Sequence, residues 1–452
     1  MAPRSFRINT VFNLVGGGLM LLYTLLLPGI LSRAMTTESF GAYILGLQFV
    51  PFLMLLAVPI QQPLAPHFAR LNVDGKVSDR DNLVRTSVRL LVAAALVAIF
   101  VSIAASRLLP VMLGWQAEFA AVASGSIVTL GIAAAISFPV FIISSFAAGQ
   151  QNFLWDNLLK CSGPYVGLTL VSIWILVSSK LGLQFKPQLI AYLFAAATVT
   201  VSLLVGVLGS RFIPLKISIF GKVELASIYT HLGAVRGVLW WNLCALLSIS
   251  VAPFIVSSIE PAKVAAFAVS ASLMNVIAGL TNALAGPFSV KMGQHATDDV
   301  TSRTNIFLRL QRPFQAFLVG STFLLLILPV SLFKIWVGVG LAQEITTLIL
   351  PLALANLVRQ LTGPYTIALL GLGLQNKLWL SPAIEAAGSI LFGIILGKYF
   401  GAIGVAYGVL IAASLRLIFT AIHDLPMTRS ALQLTLMDIL FPYNVHIFKS
   451  KK

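Results

Sequence analysis

Charged residues are scarce in this chain. They make up 10% of its 452 residues, and only 14 are Asp or Glu, whereas 58% of the residues are hydrophobic. The mean hydropathy is +0.95. A soluble domain of this length would carry far more charge on its surface. The composition therefore excludes a soluble protein and predicts a chain that crosses a membrane many times.

Cysteine is nearly absent, and so are the common catalytic motifs. The two cysteines, Cys161 and Cys244, fall within or beside apolar stretches, so the sequence predicts packing roles and no extracytoplasmic disulfides. The sequence has no phosphate-binding glycine loop, no cluster of metal ligands and no long extracytoplasmic connection. These absences argue against an enzyme, and we expect no catalytic residues, no metal and no cofactor.

Long apolar runs recur along the whole chain. A helix needs about 20 residues to cross a bilayer, and runs of that length predict about twelve spans. They fall at 8–31, 41–66, 89–113, 119–148, 161–179, 187–210, 236–258, 264–288, 313–336, 345–371, 380–398 and 402–422. The sequence therefore predicts an all-α polytopic membrane protein with about twelve transmembrane helices.

The net charge of +16 is spread over the connections between spans. Most of the 30 Lys and Arg residues lie at the two ends of the chain and in connections that follow even-numbered spans. By the positive-inside rule, both termini are expected to be cytoplasmic. Basic residues beside a membrane attract anionic headgroups, so membrane lipids are the expected partners and nucleic acid is not.

One short phrase occurs twice, each time after a long apolar stretch. Gly149-Gln150-Gln151-Asn152 begins the first copy and Gly373-Leu374-Gln375-Asn376 begins the second. The same offset takes Pro63 to Pro287, so half of the protein is repeated in order. Six spans per half is an even number, which predicts two lobes related as parallel repeats about an axis along the membrane normal.

The repeat divides the chain into four parts. We predict an N-terminal six-helix lobe at 1–210, a cytoplasmic linker at 211–235, a C-terminal six-helix lobe at 236–423 and a cytoplasmic tail at 424–452. Ser430 to Phe441 has an amphipathic pattern and basic residues follow it, which predicts a helix lying on the membrane surface.

These features resemble a known superfamily. Twelve spans in two halves, a Gly-x-Gln-Asn loop after the fourth span of each half, and Gly401-Ala-Ile-Gly404-Val-Ala406-Tyr407 at the last span resemble the multidrug/oligosaccharidyl-lipid/polysaccharide (MOP) exporter superfamily. Within it the chain most resembles the polysaccharide-biosynthesis flippases, the Wzx-type O-antigen and capsule translocases.

The resemblance implies a function and a location. Such flippases move an undecaprenyl-diphosphate-linked oligosaccharide from the inner to the outer leaflet of the bacterial cytoplasmic membrane. By resemblance we expect alternating access, the lipid-linked oligosaccharide as substrate, and polysaccharide polymerase or chain-length machinery as possible partners.

Arg359 is the sharpest candidate for a substrate contact. It lies deep in span ten, where an ionised side chain costs about 2.5–3.5 kcal/mol on insertion scales. Asn356 and Gln360 make the same segment polar. Arg359 could face a wet, cationic cavity that receives the diphosphate, or it could pair structurally with Glu385 in span eleven. The sequence leaves both readings open.

Polar stripes on several spans are further cavity candidates. By resemblance, the first two helices of each half line a central cleft. The candidates on these helices are Asn13 and Thr24 in span one, Gln48 and Gln62 in span two, Asn242 in span seven, and Asn275 and Asn282 in span eight. The alternative for each is an interhelical hydrogen bond, which is common in membrane bundles.

Basic residues near the ends of spans are weaker candidates for phosphate contacts. They are Arg33, Lys160, Arg236, Lys263 and Arg416. Lys and Arg at helix ends ordinarily reach the membrane interface, which is the alternative reading.

Two other functions stay open. Multidrug exporters of the same superfamily often use an intramembrane carboxylate in the first half, and the sequence has no Asp or Glu deep in spans one to six. Only Glu385 is deep, and it belongs to the second half, so drug export ranks second. A non-transport envelope scaffold ranks third, because burying Arg359 and Glu385 would serve it no purpose.

Overall fold

The structure, a computed structural model, describes residues 6–61, 64, 68, 77–149, 153–182, 186–212, 239–295, 298–372, 374 and 378–442. These residues form helices and turns and no strand, which confirms the all-α prediction. The chain divides into two compact units, Met1–Leu239 and Trp240–Lys452.

The N-terminal unit is a bundle of long apolar helices. Its described helices are α1 (Phe6–Ala34), α2 (Thr37–Met54), α3 (Val58–Gln61), α4 (Val77–Leu113), α5 (Ala117–Ser137), α6 (Phe141–Gly149), α7 (Phe153–Leu181) and α8 (Pro187–Phe212). Helix α5 packs against α2, α4 and α8, and α7 packs against both α1 and α8. A β-carbon at Gly46 of α2 would lie 2.5 Å from Cβ of Ser126 in α5, so the glycine permits the close approach of these two helices.

The C-terminal unit contains a second bundle. Its described helices are α9 (239–250), α10 (Ala252–Ile259), α11 (Val264–Gln294), α12 (Val300–Ile327), α13 (Val330–Val337), α14 (Val339–Leu361), α15 (Gly363–Gly371), α16 (Leu380–Phe419), α17 (Leu425–Met427) and α18 (Leu436–Leu440). A π-helical turn, Thr420–Asp424, joins α16 to α17. Helix α14 packs against α11 and α16, and this contact holds the candidate site.

Ten helices among the described residues are long and apolar enough to cross a membrane, two fewer than the predicted twelve. One of the ten, Leu380–Met427, contains both span eleven and span twelve, which the bend at Gly401 separates. Span two is interrupted by a turn at Leu55–Ala57 that separates α2 from α3. The chain is thus a multi-pass membrane protein whose apolar runs do not map one to one onto unbroken helices.

Two helices begin well before the membrane spans that were predicted within them. Helix α4 begins at Val77, twelve residues before the predicted start of span three, and α12 begins at Val300, thirteen residues before span nine. Both helices continue through charged residues such as Arg85 and Arg309. Hydropathy marks the part of a helix that lies in lipid, whereas backbone hydrogen bonding continues past it, so the helices are longer than the spans.

The C-terminal segment also differs from the prediction. Ser430 to Phe441 was expected to lie on the membrane surface, but Leu432 and Ile439 are fully buried in the C-terminal unit. They pack with Phe307, Tyr365 and other apolar residues of the bundle. Its single described helix, α18, has a capping box formed by Thr435 and Asp438.

Gly401 reverses the direction of α16. Its φ of 65° and ψ of −148° belong to a region that is open almost only to glycine. Glu260 stabilises the reversal, because its Oε2 accepts a hydrogen bond from the Ala402 backbone N–H at 2.7 Å. Its Oε1 pairs with Lys263 Nζ at 3.1 Å. A β-carbon at Gly401 would lie 2.5 Å from Glu260 Oε2, so a larger residue cannot enter without displacing that carboxylate.

We predict that Gly401→Ala destabilises the purified protein by about 1–3 kcal/mol, because alanine must adopt a strained backbone conformation and also meets the Glu260 carboxylate. Thermal unfolding in detergent measures the effect. Gly340→Ala is the matched control, since a β-carbon there meets nothing within 4 Å. Equal melting temperatures for the two variants would contradict the role given to Gly401.

Candidate functional site

The candidate site forms where two parts of α16 meet α14. Glu385 lies five residues after the start of α16, and Arg416 lies near its end. In a straight helix, 31 residues would separate these two side chains by about 46 Å. Because the chain reverses at Gly401, they instead form a hydrogen bond. Arg359, in the last turn of α14, completes the group.

Both arginines bind the same carboxylate. Arg359 Nε lies 2.5 Å from Glu385 Oε1, and Arg416 Nη1 lies 2.7 Å from Glu385 Oε2. Glu385 is fully buried, and the arginine side chains are only 12% and 10% exposed. Arginine does not lose its proton in proteins, so two positive charges share one carboxylate. The group, which we call the Arg–Glu–Arg triad, carries an excess of positive charge inside the C-terminal unit.

Several donors around the triad have no acceptor. Arg359 Nη2 and Arg416 Nε are buried and lack a hydrogen-bond partner. The same holds for Nδ2 of Asn356, one turn before Arg359, and for Oγ of Ser389, one turn after Glu385. Buried donors without acceptors are costly, and such a cluster is suited to an acceptor-rich ligand or to water.

A small cavity reaches the triad. It has a volume of about 30 Å³ and is lined by Arg359, Asn275, Ala355, Leu352 and Met274, among others. A water molecule needs about 10–15 Å³ by this measure, so the cavity has room for one or two. Asn275, on α11, is exposed, so one polar side chain of the lining reaches the surface of the unit. A larger ligand can enter only if the helices around the cavity move.

The triad lies nearer to one end of the membrane-spanning helices than to the other. Glu385 is five residues from the start of α16, about 7.5 Å along its axis, and sixteen residues from the reversal at Gly401. The connection before α16 contains Lys377 and is expected from the charge distribution to be cytoplasmic.

The structure brings part of the predicted set together. Arg359 pairs with Glu385, and Asn275 lines the cavity that reaches them. Asn356 and Gln360 are buried beside Arg359 on α14. Arg416 lies near a helix end, as interpreted, but it is buried in the triad and does not reach the membrane interface.

Sequence reasoning missed Arg416 as a partner of Glu385, because the predicted turn between spans eleven and twelve does not specify which side chains meet across it. One signal was present, since Arg416 lies within the apolar run of span twelve rather than after it. A second arginine in a membrane span should have been weighed with the first.

Of the other predicted residues, those whose side chains the structure describes are not part of this site. Thr24 Oγ1 donates to the Met20 carbonyl of its own helix at 2.9 Å, and Lys263 pairs with Glu260. Gln48 and Asn242 are half-buried, and Arg33 is exposed. Gln62 and Arg236, and the side chains of Asn13, Lys160 and Asn282, lie outside the described residues.

Comparison with known proteins identifies the fold. No family profile and no curated protein sequence matches the chain. Among solved structures, an inward-facing multidrug resistance MATE family transporter of the MOP superfamily superimposes with a TM-score of 0.74 over 91% of this chain and 97% of the other, at 14% identity. The chain has a MATE-like fold.

Two further solved structures have the same MATE-like fold, and they belong to proteins that are named for different cargo. The MATE multidrug transporter DinF-BH, solved with a bound ligand, matches 95% of this chain and 96% of its own, with a TM-score of 0.70 and 14% identity. The lipid II flippase MurJ matches 91% of this chain and 86% of its own, with a TM-score of 0.66 and 13% identity. At such low sequence identities, the MATE-like fold does not identify the cargo. The cargo has to be inferred from the chemistry of the site.

We predict that Glu385→Gln strongly destabilises the C-terminal unit. The variant leaves two buried guanidinium groups without a counter-charge, and removing one partner of a buried ion pair typically costs about 3–5 kcal/mol. The measurement is the melting temperature and the yield of monodisperse protein in detergent.

Arg416→Met should be milder, because it leaves Arg359 and Glu385 as a neutral pair. The double variant Glu385→Gln with Arg416→Met should regain part of the stability lost in Glu385→Gln. Additive effects of the two substitutions would contradict the triad.

Proposed function

We propose that this protein is a flippase that moves a polyprenyl-diphosphate-linked oligosaccharide from the inner to the outer leaflet of the bacterial cytoplasmic membrane by alternating access. The observation that carries the proposal is the Arg–Glu–Arg triad, a buried group with excess positive charge and unpaired donors. The MATE-like fold supports a MOP-superfamily transporter in general, and the triad argues for an anionic cargo.

A diphosphate is the anion that this chemistry suits. A bare diphosphate cannot enter hydrocarbon, so a flippase must offer it donors and counter-charge along the path. The planar guanidinium fork matches two phosphate oxygens at once and is more weakly hydrated than an ammonium group. Arg359 Nη2 and Arg416 Nε are donors already desolvated and without acceptors. A diphosphate that accepted hydrogen bonds from these two donors would satisfy both, and Glu385 could keep its own bonds to Arg359 Nε and Arg416 Nη1.

The triad disfavours a cationic cargo at the same place. Two guanidinium groups face one carboxylate, and the excess charge would repel a cation in a medium of low dielectric constant. In the N-terminal unit, none of the acidic side chains that the structure describes is buried. Glu38, Asp79 and Glu118 lie in the first turns of their helices. The described part of this unit therefore offers no buried carboxylate for coupling to a cation.

Multidrug export is the second candidate. Solved multidrug transporters superimpose with TM-scores of 0.74 and 0.70. In addition, Glu38 and Glu118 line a cavity of about 330 Å³ in the N-terminal unit, where carboxylates would attract a cation. We still rank the flippase first. The charged groups of the triad are buried, whereas the carboxylates of this cavity lie in the first turns of α2 and α5.

We predict that depleting the protein in its bacterial host removes surface polysaccharide and leaves lipid-linked oligosaccharide in the cytoplasmic leaflet. Both are measured, together with sensitivity to cationic drugs. If surface polysaccharide is unchanged and the cells become more sensitive to cationic drugs, the flippase proposal is wrong and multidrug export is the better explanation.

Complementation tests the role of Arg359 directly. We predict that Arg359→Ala reduces surface polysaccharide at least tenfold at normal membrane expression, because a desolvated phosphate donor is lost, whereas Arg359→Lys restores part of it since lysine cannot bind two oxygens in a plane. Arg309→Ala, which removes an exposed arginine of α12, is the control and should complement fully. Full activity of Arg359→Ala would show that the triad does not lie on the transport path.

A further inference from the structure

One buried amide joins the candidate site to the end of the chain. Gln311, on α12, is fully buried. Its Nε2 donates to the Ile439 carbonyl at 2.8 Å and to the Leu361 carbonyl at 3.4 Å. Ile439 belongs to α18, whereas Leu361 is the last residue of α14 and follows Arg359 by two positions. A single side chain therefore contacts both the C-terminal segment and the helix end that carries Arg359.

The C-terminal segment Thr428–Pro442, which we call the brace, is firmly held. Its apolar side chains join a core cluster of the unit; they are Ala431, Leu432, Leu434 and Ile439. Polar side chains of α12 hold its backbone: Gln315 Nε2 donates to the Ile439 carbonyl, and Arg312 Nε donates to the Pro442 carbonyl at 3.1 Å. The brace is thus an integral part of the bundle rather than a loose tail.

The helix end at Leu361 needs an outside donor. Helix α14 stops at this residue, and the next helix begins at Gly363 with Pro364 in its first turn. The last four carbonyls of any helix, among them that of Leu361, lack a regular intrahelical donor. Gln311 supplies one donor to the Leu361 carbonyl. It therefore fixes the last turn of α14, and Arg359 lies in that turn.

We propose that the brace, acting through Gln311, positions Arg359 in the anion site. This inference rests on the proposed function of the triad. Brace contacts hold the Gln311 amide, the amide holds the end of α14, and that helix end sets the direction from which Arg359 approaches Glu385. Gln311 is a positioning residue, since it touches neither Glu385 nor the cavity that reaches the triad. A guanidinium that binds two oxygens tolerates little displacement, so losing the amide should weaken anion binding.

The chain offers a matched pair of variants. Gln311 and Gln315 lie four residues apart on α12 and share the Ile439 carbonyl, but only Gln311 also reaches Leu361. Gln311 Oε1 is buried and has no partner, so Gln311→Met removes the two donor contacts without leaving a new unpaired side-chain group. Gln315→Met loosens the brace and leaves the helix end in place.

The test uses the full-length protein purified in detergent and inorganic pyrophosphate as the probe. We measure the Kd for pyrophosphate and, separately, the melting temperature without it. Gln311→Met should raise the Kd at least tenfold, and Gln315→Met should leave it within about threefold, although both lose stability. A merely structural role would change the melting temperature and leave the Kd alone.

A truncation provides a second measurement. A chain ending at Met427 lacks the brace and should bind pyrophosphate as weakly as Gln311→Met, whereas a chain ending at Pro442 keeps it and should bind like the wild type. If the shorter chain fails to fold, the two point variants still decide the question.

The outcomes separate the two proposals. If the wild type binds pyrophosphate and Gln311→Met binds it with the same Kd, the positioning role of Gln311 is overturned and the anion site is retained. An equal loss of binding in Gln311→Met and Gln315→Met would overturn the assignment to Gln311. No pyrophosphate binding by the wild type would overturn the anion site, and with it the brace as its positioning element.

Discussion

The C-terminal unit depends on the ion pairs that the buried carboxylate of Glu385 forms with two arginines. Two guanidinium groups from different parts of the chain reach it, and each is too costly to bury without it. This pairing joins the end of α14 to the parts of α16 before and after Gly401, so one buried ion group holds three helical segments together. The reversal at Gly401 is the geometric condition, because it returns Arg416 to Glu385. Charge pairing and backbone geometry therefore reinforce each other.

An Arg–Glu–Arg arrangement is poorly explained by stability alone. Buried ion pairs are weak contributors to folding, since the desolvation penalty offsets much of the attraction. Here the excess arginine and the unpaired donors at Arg359, Arg416 and Asn356 add further cost. The proposed transport of a lipid-linked anion would account for that cost. The same MATE-like fold occurs in a multidrug transporter and in a lipid II flippase, so the fold alone does not identify the cargo.

Individual residues illustrate what could be predicted. Arg359 and Glu385 were identified from the sequence because a charge inside an apolar run is conspicuous whatever surrounds it. Arg416 was placed among the weaker phosphate-contact candidates because the sequence does not show that Glu385 is its partner. Gln311 was not noticed because an amide near a helix end is ordinary in sequence. The C-terminal segment was assigned to the membrane surface, since an amphipathic pattern does not say which apolar surface it meets. In the structure that surface is the core around Phe307 and Tyr365.

The sequence by itself determined the all-α class, the membrane location and the two deep charges of opposite sign, because hydropathy and burial cost are properties of short segments. Only the tertiary structure decided that Glu385 serves both Arg359 and Arg416, and that the C-terminal segment packs into the core of its unit. These features depend on contacts between residues tens of positions apart. Such contacts follow from how helices pack and where the chain turns, which local composition does not specify.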